Sequence, residues 1–96
     1  MTFAERKAEH RRRLVVQLLG EDSREPCNLH LLADALADLG QDVPIDEMAG
    51  IAEWLAEAGL LRFVERTPPT TVLLTARGRR LAGGRILVSG VADPLP

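Results

Sequence analysis

A thiol and an imidazole stand three residues apart in Cys27-Asn28-Leu29-His30, which has the look of half a metal site. Zinc needs about four N, S or O ligands. His10 is the one other imidazole in the chain, and there is no second cysteine. A nucleophilic Cys27 needs an activating base and an orienting third group, which spacing alone does not supply. A structural or surface role for Cys27 and His30 is therefore expected. The acid pairs Asp34/Asp38 and Glu53/Glu57 fall four residues apart, the spacing of a solvated helix face. No glycine-rich phosphate loop carries a lysine. The chain is expected not to be an enzyme, and no cofactor, metal or small-molecule ligand is predicted.

Arginine offers more. Arg6, His10, Arg13 and Gln17 recur at helical spacing, with Arg11 and Arg12 beside them. Such a cluster can neutralise backbone phosphates and position a protein on a duplex. The plainer role is a solvated face in which Glu9 pairs with Arg12 and Arg13 at i+3 and i+4, and the frequency of such pairs places it first. Net charge is −2, from 12 basic and 14 acidic residues. Its distribution is uneven. From Glu25 to Leu61 the charged residues are Glu25, Asp34, Asp38, Asp42, Asp46, Glu47, Glu53 and Glu57, and all 12 Lys and Arg lie outside this stretch. The chain is charge-segregated.

The elements that must position these charges follow from periodicity. Thr2 with Glu5 forms a capping box for a helix that runs to Leu19, with Gly20 as terminator and an apolar face of Leu14, Val15, Leu18 and Leu19. Gly20 to Cys27 is a polar loop, and Asn28 caps the next helix. That helix repeats Leu29, Leu32, Ala33, Leu36 and Leu39 before Gly40; the following one repeats Met48, Ile51, Ala52, Leu55 and Ala58 before Gly59. Pro44 suits the first position of this second helix. Its outward face offers Glu47, Gly50, Glu53 and Glu57, with no side chain fitted to read base edges. Leu60 to Arg66 alternates, Thr67-Pro68-Pro69-Thr70 turns, and Thr71 to Leu74 returns as a second strand. Arg62 and Arg66 lie on this hairpin. Thr75 caps a short last helix with Arg77, Arg79 and Arg80 exposed and Leu81 and Ala82 buried. An extended, proline-closed tail remains. Ile86-Leu87-Val88 within it is expected to pack on its own domain or on a neighbouring subunit.

Helix, turn, helix and hairpin is the plan of a winged helix-turn-helix. The fold class expected is α+β, mostly α: a three-helix core, a β-hairpin wing, a short C-terminal helix and an extended tail. The domain spans residues 1–84 and the tail 85–96. Ninety-six residues suffice for one core without disulfides or metal. A lone cysteine and the lack of an apolar leader or spanning segment point to the cytoplasm.

Several stretches carry a resemblance: Ala8-Glu9-His10-Arg11, Leu39-Gly40, Trp54 to Leu60, Leu74-Thr75-Ala76-Arg77-Gly78, Ala82-Gly83-Gly84-Arg85 and Val88-Ser89-Gly90-Val91. Together they resemble a family of small winged-helix proteins of Mu-like phages and prophages, loosely labelled transcriptional regulators of the arsenic-repressor type. The resemblance implies a winged helix and binding to double-stranded DNA or control of phage genes. The cysteine-rich signature of metal-sensing repressors is missing, and the helix that would read bases is acidic. Two functions stay open. One is a dimeric DNA-binding protein that contacts phosphates through Arg6, Arg11, Arg12, Arg13, Arg62, Arg66, Arg77, Arg79 and Arg80. The other is a protein-interaction or assembly module of a Mu-like phage that pairs with a second copy or another phage protein. The fold favours the first; the residues alone favour the second.

Overall fold

The computed structural model describes residues 1–21 and 24–94. In chain order the elements are α1 (Phe3–Glu21), β1 (Cys27–Asn28), α2 (Leu29–Asp38), α3 (Ile45–Glu57), β2 (Leu61–Glu65), β3 (Thr71–Leu74) and α4 (Ala76–Ala82). The result is a mostly helical α+β domain with one small antiparallel sheet, in the order β1-β3-β2. Two parts of the expected loop and tail, Asp22-Ser23 and Leu95-Pro96, lie outside the described residues.

The helix ends follow the capping chemistry. Thr2 Oγ1 accepts from the Glu5 N–H at 3.1 Å, Asn28 Oδ1 from His30 at 2.7 Å, and Thr75 Oγ1 from Gly78 at 3.1 Å. Gly40 (φ 81°) and Gly59 (φ 76°) take the left-handed conformation past the ends of α2 and α3, where a side chain would be strained. Pro44 is the N-cap of α3 rather than its first helical residue.

Helix α1 departs from its expected end. It continues through Gly20 to Glu21, because Gly20 serves close packing rather than termination. A Cβ at Gly20 would sit 2.8 Å from Ala82 Cβ, so the glycine lets α4 lie against α1. The buried face is also rotated from the expected one. Val15, Val16 and Leu19 are buried, whereas Leu14 and Leu18 are half-buried. Turning Val16 inward carries Arg12 and Arg13, four and three residues before it, toward the protein.

The strand β1 was not legible as such, being two residues inside a polar loop. Cys27 pairs with Val72 and Asn28 with Thr71, extending the hairpin by a third strand. Between β2 and β3 the register joins Leu61 to Leu74, Arg62 to Leu73 and Phe63 to Val72, then shifts at a bulge before Glu65. The tip contains a cis Pro68–Pro69 bond. The core draws on every layer: Val15 and Val16 from α1, Leu36 from α2, Met48 and Leu55 from α3, Val72 from β3 and Leu81 from α4 are fully buried.

Two glycines in helices face opposite environments. A Cβ at Gly78 would collide with the Leu60 carbonyl oxygen, while Gly50 has open space where its Cβ would be. Gly78→Ala is therefore expected to lower stability by about 1–3 kcal/mol through overpacking. Gly50→Ala is expected to leave stability unchanged or raise it by roughly 0.5–1 kcal/mol. Urea unfolding of the two variants checks the contrast.

Candidate functional site

The basic cluster of α1 is mostly turned to internal work. Arg13 is 2% exposed. Its Nε donates to the Ala92 carbonyl at 2.7 Å, and its Nη1 donates to the Leu81 carbonyl at 3.1 Å and to Gln17 Oε1 at 3.2 Å. Its Nη2 has no hydrogen-bond partner among the described residues. Burial lowers the guanidinium pKa from its ordinary value, and the Asp93 carboxylate opposes that shift. Arginine nevertheless stays protonated, so a full charge is held inside.

Arg12 lies between an aromatic ring and the tail. Its guanidinium carbon is 4.1 Å from the Trp54 ring centre, a cation–π contact, and its Nη1 donates to the Gly90 carbonyl at 2.9 Å. Gly90 has φ 91°, and a Cβ there would stand 2.5 Å from Trp54 Cζ2. Only glycine fits this position without strain. Arg11 ties α1 to the turn before α3: its Nε donates to Gln41 Oε1 at 3.1 Å, its Nη2 to the Asp42 carbonyl at 3.4 Å, and its Nη1 lies 3.5 Å from Glu47 Oε2. Arg6, one turn earlier, is exposed.

These contacts place the tail. It packs on its own chain, with Val91 buried and the Ala92 N–H donating to the Glu9 carbonyl at 3.1 Å. Sequence reasoning missed Trp54, Gln41 and Gly90 as partners of the arginines. The tail reads as extended, and nothing local to Ser89-Gly90 signals what it touches.

The other arginines divide. Arg66 stacks over Phe63 at 3.9 Å and pairs with Glu53 at 3.0 Å, and Arg77 Nε donates to the Ala58 carbonyl at the end of α3 at 3.1 Å. Arg62 and Arg80 are exposed, and Arg79 is half-buried. At the hairpin tip the Thr67 N–H donates to Glu65 at 2.9 Å, which holds that carboxyl below its ordinary range. Of the arginines expected to contact phosphate, the exposed Arg6, Arg62 and Arg80 thus come from α1, β2 and α4 rather than from one continuous helix face.

The outward face of α3 is acidic. Asp46, Glu47, Glu53 and Glu57 are exposed along it, around the exposed Gly50, and Ile45 is 42% exposed at its start. A groove of about 400 Å³ runs between α3 and the first turns of α1, lined by Ala4, Lys7, Ala8, Arg11, Gly50 and Trp54 among others. The first turns of α1 stand clear of the core: residues 1–7 are all exposed, and Phe3 is 79% exposed. Cys27 is buried in β1 and His30 is exposed on α2, so the two do not form a site. Among the described residues no group of three or more His, Cys, Asp or Glu side chains could hold a metal ion, and no helix is long and apolar enough to cross a membrane.

Fold and surface together define a small, mostly helical α+β protein with segregated charge. No known family model matches the chain, and no solved structure matches it. It is 36% identical over 85 residues to an uncharacterised protein, gp26, of Escherichia phage Mu, a match that covers 88% of each chain. The chain belongs to the family of this phage protein.

The clamp on the tail sets an expectation. Gly90→Ala should lose about 1–3 kcal/mol, and Arg13→Ala roughly 2–4 kcal/mol because it strands the Ala92 and Leu81 carbonyls. Trp54 is the single tryptophan, so both variants should also red-shift its emission as the tail leaves the ring. Urea unfolding followed by fluorescence measures both effects.

Proposed function

We propose that this chain is a winged-helix module of a Mu-type phage that acts in the host cytoplasm by contacting protein rather than by reading DNA. The winged-helix assignment is supported by the order helix, turn, helix and hairpin, with β1 pairing to β3 beside the wing. Membership in the family of a phage Mu protein supports the phage setting. The task is argued from one observation: the helix placed to enter a major groove presents carboxylates, while Arg11, Arg12 and Arg13 are engaged within the chain. Phosphates would meet like charge at α3, and the cations needed to offset it are held elsewhere. Nothing in this reading calls for catalysis. An assembly or regulatory contact suits a protein whose surface offers large patches of opposite sign.

Exposed Arg62 and Arg80, with half-buried Arg79, favour the second reading, non-specific phosphate contact. Fluorescence anisotropy of a labelled generic duplex decides between the two. Weak, non-saturating binding that disappears at near-physiological salt is expected. Saturable binding at that salt, abolished in an Arg62→Glu/Arg80→Glu variant, would overturn the proposal in favour of a DNA-binding protein.

A further inference from the structure

The groove between α1 and α3 joins two walls of opposite charge. Along α1 it has Lys7, with Arg6 beside it on the exposed first turns. Along α3 it has Glu47, and Asp46, Glu53 and Glu57 are exposed on the same helix outside the groove's lining. Arg11 and Glu47 satisfy each other across the groove, and Glu53 is engaged by Arg66. The side chains of Arg6, Lys7, Asp46 and Glu57 make no ion pair or hydrogen bond among the described residues.

Gly50 stands at the middle of the acidic wall. It is exposed in the interior of a helix, a place where alanine is intrinsically preferred, and its φ is not in the left-handed range. No neighbouring atom lies within 4 Å of where its Cβ would be. Neither backbone geometry nor packing within the chain accounts for glycine there, in contrast to Gly20, Gly78 and Gly90. An open position of this kind admits close approach from outside.

We infer that this groove is the contact surface for a second copy of the chain, with the basic first turns of α1 in each protomer lying on the acidic face of α3 in the other. A basic and an acidic wall on one surface are self-complementary under a two-fold axis, because the rotation sets each wall against its opposite. Gly50 lies where the partner's α1 crosses α3. The inference rests on the protein-contact reading and supplies its partner.

Sedimentation equilibrium of the full chain from about 1 to 500 µM, at low and at high salt, tests it. Reversible dimers that weaken with salt are expected. Two charge variants, Arg6→Glu/Lys7→Glu and Asp46→Lys/Glu57→Lys, should each raise the dimer dissociation constant by about tenfold or more. An equimolar mixture of the two should dimerise again, since each acidic α1 then meets a basic α3 and each basic α1 an acidic α3. Gly50→Gln should also weaken association, with an unchanged circular dichroism spectrum and no loss of thermal stability in the monomer. A native chain that stays monomeric throughout would overturn the inference. So would dimers that survive all three variants, or charge variants whose mixture fails to re-associate. None of these outcomes bears on duplex binding, so the protein-contact reading fails or survives by its own anisotropy test.

Discussion

A guanidinium buried at 2% exposure has to be met by acceptors, and at Arg13 these come from three parts of the chain. Moving the charge out of water costs several kcal/mol even after relaxation, so the carbonyls that receive it are held in place. Leu81 supplies one from α4 and Ala92 one from the tail, while Gln17 adds its amide oxygen from the next turn of α1. Arg12 repeats the device one residue earlier, with the Trp54 face on one side and the Gly90 carbonyl on the other. Two adjacent arginines thereby fix α1, α3, α4 and the tail relative to one another. The tail is bound through its backbone, so residues such as Gly90 are selected by space and φ rather than by side-chain chemistry.

This arrangement changes what the charges mean. A row of arginines on a helix suggests a phosphate-binding face when the helix is drawn alone. In the folded chain the middle of that row is structural, and its basic character survives mainly at Arg6 and Lys7, on turns that stand clear of the core. The acidic stretch has kept its charge at the surface, on α3 above all. Opposite charges therefore flank one groove, and exposed carboxylates occupy the helix on which a base-reading protein would carry donors. A protein partner fits those two facts better than a polyanion does.

Much of the architecture was legible because it is local. Thr2, Asn28 and Thr75 announce helix starts, Gly40 and Gly59 announce ends, and the Leu and Ala repeats give the buried faces of α2 and α3, except that Leu39 lies past the end of α2 and is exposed. What escaped is non-local. β1 has too few residues for alternation to register, and it is a strand only because β3 lies beside it. Gly20 looked like a stop, since its reason is Ala82, far along the chain. Arg12 and Arg13 looked solvated, since their acceptors in the tail lie 78 and 79 residues away. One clue was present: Arg12 precedes Val15, Val16 and Leu19 at three-, four- and seven-residue steps, the backward continuation of the buried stripe.

The central claim is that the α1 arginines are fasteners rather than contacts for nucleic acid. Its most direct test is an NMR spectrum of the arginine Nε–H groups, recorded with and without a generic duplex at near-physiological salt. Arg13, whose Nε donates to the Ala92 carbonyl, is expected to give a resolved signal that exchanges slowly with water, and the Arg12 and Arg13 signals are both expected to keep their positions when duplex is added. An Arg13 signal that exchanges as fast as that of exposed Arg80, or either signal shifting in proportion to added DNA, would contradict the account.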